Sequence, residues 1–209
     1  MKPHKTPLTP YLESYSVKAL LNKMNIDTQP IYVKSIPNQM DIENECFLLV
    51  DENISNHGGE RILGWAIWEL PGLFIEAEFH AVWKTPEGEL IDLNPRPLKT
   101  EKILFLPDYE IVYEGYRKNN IRLALSNNPT VNDFLKAHDK IFEFMNKGKR
   151  KEQYGEIKLK GNELIEYELL MREMMNIQLK MDTVYKPLGI YDPCVCGSGK
   201  KAKWCHKLI

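Results

Sequence analysis

Residues 73–83 read Leu-Phe-Ile-Glu-Ala-Glu-Phe-His-Ala-Val-Trp. Side chains alternate across a strand, so Ile75, Ala77, Phe79, Ala81 and Trp83 share one face. Glu76, Glu78, His80 and Val82 share the other. The first face is apolar throughout and predicts a strand packed on a core. On this pattern His80 points away from that core, into solvent or a groove. Upstream, Arg61–Glu69 is a second β segment, closed by Pro71-Gly72. Downstream, Glu89–Leu93 is a third, and the turn residues Thr85-Pro-Glu-Gly88 predict a hairpin with the central segment. Three β segments in succession predict a small antiparallel sheet.

Further upstream, Asn44 is a good helix N-cap, and Phe47, Val50 and Ile54 fall on one helical face. The spacing predicts a helix over 44–56, stopped by Gly58-Gly59. Residues 1–29 predict a short helical lead-in, and 30–36 a strand. Short strands are also expected at 103–106 and 110–113, split by Pro107-Asp108. From Asn128 the apolar period becomes helical, through Val131, Phe134, Leu135, His138, Ile141, Phe142 and Met145. A second helix, capped by Asn162, carries Tyr167, Leu170, Met174, Ile177, Met181 and Val184 as its seam. The basic stretch at 147–155 joins the two as an antiparallel hairpin.

These elements predict an α+β fold: a helix packed on a small antiparallel sheet, followed by a helical hairpin and a C-terminal zinc knuckle. The expected organisation is an α+β domain over 1–127, a helical hairpin over 128–187 and the knuckle over 188–209. The chain has 209 residues, 28 basic and 29 acidic side chains and a formal net charge of −1. Near-neutral charge gives no reason to expect DNA or an anionic membrane as the main partner. No apolar run approaches the roughly 20 residues that span a bilayer. The polar start has no secretory signal, so the cytoplasm is the expected compartment.

Three of the four cysteines lie near the carboxyl end. Cys194 and Cys196 form one pair of ligands, and after eight residues Cys205 and His206 form the other. Three thiolates and an imidazole suit one tetrahedral Zn²⁺ ion. Gly197-Ser-Gly199 lets the backbone turn between the pairs, and Lys200, Lys201 and Lys203 offset the thiolate charge. This stretch resembles the SEC-C motif, named for the C-terminal tail of the Sec translocase ATPase. That pattern is Cys-x-Cys, eight residues, then Cys-Cys or Cys-His. The family usually has proline between the first two cysteines, where this chain has Val195. The resemblance implies a docking module with a ribosome or chaperone as partner, not a catalytic metal.

The fourth cysteine, Cys46, falls in the first turn of the predicted helix, where free N–H groups and the helix dipole favour a thiolate. His80 follows on a strand, and Asp92 and Asn94 at the next. A thiol, an imidazole and an orienting carboxylate or amide in that order carry nucleophilic catalysis. Gln39 lies seven residues before Cys46, nearly the distance at which papain-like enzymes keep a glutamine, and that resemblance implies an oxyanion donor. In layout, 39–95 is similar to papain-like and transglutaminase-like cores, although neither the papain nor the caspase cysteine motif is present. The resemblance implies Cys46 as nucleophile, His80 as base and Asp92 or Asn94 as its orienter.

Simpler roles compete. Cys46 suits helix–sheet packing, His80 a solvated strand face, and Asp92 a cap before Pro95. Glu76, Glu78, His80 and Asp92 also have donor types suited to a metal. Two functions are therefore carried forward. The first is a cytosolic adaptor docked through its zinc tail. The alternative is a cysteine-dependent hydrolase or acyl transferase that the tail delivers to its target.

Overall fold

The computed structural model describes residues 6–37, 45–96, 100–153 and 158–185, with 191, 200, 201 and 204. All four expected zinc ligands, together with Gln39 and Asn44, lie outside the described residues. In chain order the elements are α1 (Tyr15–Met24), β1 (Ile31–Ser35), α2 (Cys46–His57), β2 (Glu60–Leu70) and β3 (Phe74–Lys84). They continue with β4 (Leu90–Asp92), β5 (Lys102–Pro107), β6 (Ile121–Ala124), α3 (Pro129–Met145) and α4 (Asn162–Val184). A single 3₁₀ turn, Gly148–Glu152, lies in the basic connection between α3 and α4.

The mixed α and β content is as expected, but the sheet is neither open nor wholly antiparallel. The strand order β2-β5-β1-β4-β3 returns to β2 through a β2–β3 pairing, which closes a five-strand barrel. The β1–β4 pair is parallel. The long β2–β3 hairpin runs from Glu60↔Lys84 to Leu70↔Phe74. On its other edge β3 pairs with β4 at Trp83 and Lys84, and with β6 from Phe74 to Ala77.

Closure alters what the alternation along β3 means. In a closed sheet both faces of a strand are covered, one by helices and one by the interior. Ile75, Ala77 and Phe79 join Trp65, Ile67, Leu104 and Leu106 beneath Val17 and Leu20 of α1. Val82, on the opposite face, joins Val33, Ala66, Trp68, Ile103 and Phe105 inside the barrel. His80 shares that inner face and is only 2% exposed. The expectation of a solvated or groove-facing histidine is thus corrected. Closure also needs close approach at the β2–β5 seam, where a Cβ on Gly64 would stand 2.2 Å from the Leu106 carbonyl oxygen.

Helix α1 is capped by the Ser14 hydroxyl, which accepts from the Val17 N–H, and ends on Asn25 in the left-handed region. Helix α2 lies across the outer face through Leu49 and Val50 against Ala81, Ile91 and Leu93. Its Phe47 ring stacks on Tyr113 at 4.1 Å between centroids and tilts against Phe79 at 5.3 Å. Residues 110–113 form no strand and instead help cover this face. The sixth strand is β6, at 121–124.

Asn128 caps α3 by accepting from the Thr130 N–H. Helix α4 follows Gly161, whose φ of 56° suits glycine, so Asn162 is its first residue and not its cap. The Phe144–Tyr167 ring contact and the Lys140–Glu173 ion pair make α3 and α4 antiparallel. Met174, Ile177 and Met181 bury against Val131, Leu135 and the Leu70, Leu73 and Phe74 end of the β2–β3 hairpin. The helical pair therefore shares a core with the barrel's long hairpin.

Candidate active site

Cys46 is the first residue of α2 and is 6% exposed. The first bond of the helix runs from the Leu49 N–H to the Glu45 carbonyl at 3.1 Å. The N–H groups of Cys46, Phe47 and Leu48 precede it, as at every helix start. Phe47, held by Tyr113 and Phe79, fixes how this end meets the barrel.

His80 and Asp92 come together through the β3–β4 register. Trp83 pairs with Ile91, which sets Asp92 across from Val82 and diagonal to His80 on one face. The His80 Nε2–H donates to Asp92 Oδ1 at 2.8 Å, with both side chains at most 2% exposed. The edge of the His80 ring lies against Phe105, at 6.4 Å between centroids.

Cys46 also raises the pKa of this ring through its electrostatic influence. Nε2 is committed to Asp92, which leaves Nδ1 as the second ring nitrogen. Burial disfavours the charged imidazolium. The influence of Cys46, the hydrogen bond to Asp92 and the Asp92 charge outweigh it and push His80 up to about 10. Burial likewise works against the Asp92 carboxylate, but His80 and Arg96 hold it down to about 2. At neutral pH the ring is an imidazolium paired with the Asp92 carboxylate.

Asp92 is fully buried and heavily bonded. Besides His80 it accepts from the Ser35 hydroxyl at 2.9 Å, Arg96 Nη1 at 2.5 Å and the Asn94 N–H at 3.3 Å. The Arg96 guanidinium also covers the Trp68 ring at 4.8 Å. Asp92, not Asn94, therefore orients His80. Asn94 turns its amide nitrogen to the Pro95 carbonyl, and among the described residues its buried Oδ1 has no donor. Ser35 and Arg96 were not singled out from sequence. A cation four residues after a buried acid, between two prolines, was the available signal for Arg96.

The metal constellation does not assemble. Glu76 accepts from Asn120 and Arg122, and Glu78 from the Trp68 indole. Among the described residues no three His, Cys, Asp or Glu side chains converge as a metal site. His138 packs edge-on against Phe134, and burial, with the Arg122 charge, lowers it to about 4. No described helix is long and apolar enough to cross a membrane.

In comparisons with known proteins, no family model, no curated protein and no solved structure matches the chain.

Proposed function

We propose that this protein is a cysteine-dependent hydrolase or acyl transferase in which Cys46 is the nucleophile, His80 the proton carrier and Asp92 its orienter. The carrying observation is the buried His80–Asp92 pair, with Cys46, at the start of α2, raising the pKa of the same ring. A histidine that only packed would not need a carboxylate, a thiol and a barrel interior at once.

The chemistry follows from the protonation state. The Cys46 sulfur attacks the carbonyl carbon of an amide or thioester, forming a C–S bond. The N–H groups at the start of α2 suit the developing oxyanion. As the intermediate collapses, the bond to the leaving nitrogen or sulfur breaks, and His80 donates its Nδ1 proton to that atom. Water, or a second acceptor, then gives its proton to His80 and attacks the acyl carbon. The Cys46 thiolate leaves and the resting pair is restored. His80 thus acts first as acid and then as base, with Asp92 fixing the ring throughout.

A small chloroacetamide probe should label Cys46 at neutral pH at least about tenfold faster than the unfolded chain's thiol. His80→Gln should remove that advantage while circular dichroism shows a folded protein. Equal labelling rates in wild type, variant and unfolded chain would defeat the proposal.

The tail supplies docking in this reading. The donor set of Cys194, Cys196, Cys205 and His206 fits Zn²⁺, and four protein ligands leave no site for a reacting water. Tyr191 and Trp204, close to them in sequence, are exposed, with Lys201 about 5.6 and 5.8 Å from their ring centres. An exposed aromatic pair with a cation suits a protein or ribosomal partner, which makes the adaptor role a companion to catalysis. Elemental analysis should find one zinc per chain, lost in Cys205→Ser.

A further inference from the structure

Cys46 is almost buried, so a substrate has to approach it along a recess. One borders its cluster. A groove of about 400 Å³ is lined by Ile36, Leu49, Ile91, Leu93 and Trp83, with Glu52, Asn53, Asn56 and His57 along α2. Its volume falls within the range of about 300–1,000 Å³ typical of small-ligand sites.

The groove continues the helix face on which Cys46 stands. Leu49, Asn53, Asn56 and His57 follow Cys46 at i+3, i+7, i+10 and i+11, a single stripe along α2. At 1.5 Å per residue this stripe is about 16 Å long. Leu49, Ile91 and Leu93 belong both to the groove and to the apolar cluster around Cys46. Ile36 is fastened beside them by its N–H, which donates to the Asp92 carbonyl at 2.8 Å. Chemistry changes along the groove. Among the described lining residues, Leu49, Ile91 and Leu93 of the Cys46 cluster are aliphatic, and those farther along α2 carry a carboxylate, two amides and an imidazole.

The two sides of the scissile bond separate in the same geometry. His80 protonates the leaving group, so the leaving group lies on the imidazole's side. His80 and Asp92 occupy the inner face of their strands, whereas Ile91 and Trp83 line the groove from the outer face. The groove is therefore on the acyl side.

We propose that this groove binds the acyl portion of the substrate, and that this portion is an uncharged aliphatic chain of about four to six carbons, which fits within the rise of about 9 Å along α2 from Cys46 to Glu52, the first charged lining residue. The proposal rests on the catalytic assignment of Cys46. It makes the substrate class apolar acyl thioesters or amides, excluding short acetyl donors and acyl groups charged next to the carbonyl.

Alkyl chloromethyl ketones, from methyl to octyl, test it directly. Their carbonyl takes the place of the substrate's, the Cys46 sulfur forms a bond to the chloromethyl carbon, and chloride leaves. Second-order labelling constants read by intact mass should rise about two- to threefold per methylene, because the open groove buries each one only in part. The rise should stop near six carbons. Ile36→Asp, at a position 44% exposed and tolerant of change, should flatten the series. Leu169→Asp, on the 57% exposed side of α4 and outside the groove, should keep it. A series with no length dependence in the wild type, or one that survives Ile36→Asp, overturns the groove assignment. Fast, His80-dependent labelling by the methyl ketone with no length dependence would overturn the groove alone. Failure of every ketone to label Cys46 faster than an unfolded thiol would overturn both.

Discussion

Asp92→Asn is the most informative single change in this protein. The carboxylate accepts from His80, Ser35, Arg96 and the Asn94 N–H and is fully buried. An asparagine keeps the volume but offers one acceptor oxygen and one donor nitrogen, so whichever way the amide turns it meets a donor with a donor. It also leaves Arg96 and His80 as cations without their anion. Removing one member of a buried ion pair costs about 3–5 kcal/mol. The rise of His80 from 6.5 to about 10 corresponds to about 5 kcal/mol in favour of the imidazolium, shared between Cys46 and Asp92. Both figures predict a loss of several kcal/mol, a large part of an ordinary domain's stability of about 5–15 kcal/mol.

The pH dependence makes this prediction specific. His80 is raised in the fold, so its contribution is complete below 6.5 and is lost as pH rises through about 10. Asp92 is lowered, so its contribution is complete above 3.8 and is lost as pH falls through about 2. The gap between wild type and Asp92→Asn in urea unfolding should be widest near pH 4–6.5 and narrow toward both ends. Histidine NMR should show His80 titrating well below 10 in the variant. A gap under about 1 kcal/mol, or one constant from pH 4 to 10, would refute the reasoning, since no coupled buried charge could then be present.

Two further changes probe the frame. Gly64→Ala forces a methyl group to 2.2 Å from the Leu106 carbonyl and 2.7 Å from the Phe105 ring. It should cost about 3 kcal/mol by opening the β2–β5 seam, and an unchanged melting temperature would contradict the closed barrel. Glu69 is 2% exposed; burial raises its carboxyl, partly countered by the Ser16 hydroxyl that donates to it at 2.7 Å. A raised acid stabilises the fold at low pH and loses that contribution as pH climbs above 4.5. Glu69→Gln should therefore raise the melting temperature at pH 7 by about 2–4 °C, and a gain that persists at pH 4 would show another origin.

The local elements were legible because their signals are short-range. Alternation marks β3, Pro71-Gly72 marks the end of β2, Thr85–Gly88 marks the turn before β4, and the change of period at Asn128 marks the start of α3. Barrel closure was not legible. It depends on the β5–β2, β1–β5 and β1–β4 pairings, which join segments 30 or more residues apart and leave no periodic trace. The misplacement of His80 followed from that gap, since on an open sheet its face is solvated. Likewise the apolar run Ile111-Val-Tyr113 reads as a strand but pairs with no strand among the described residues, whereas Ile121–Ala124 pairs with β3. The order Cys46, His80, Asp92 was visible as chemistry. The choice of Asp92 over Asn94 needed the register, which places the acid diagonal to His80.

Closure also bears on why this site can hold so much charge. A buried imidazolium and carboxylate are costly to desolvate, and only a full set of partners compensates. Each partner of Asp92 comes from a different part of the barrel: Ser35 from the end of β1, His80 from β3, and Arg96 from the segment beyond β4, braced on Trp68 of β2. An open sheet would not gather these groups around one carboxylate. The site and the closed barrel therefore stand or fall together. A change far from Cys46 that loosens a seam should disturb His80's protonation before it unfolds the chain. Gly64→Ala carries that consequence too: a fall in the His80 titration midpoint at temperatures where the variant is still folded. If His80 kept its high midpoint until global unfolding, the site would be held by β3 and β4 alone.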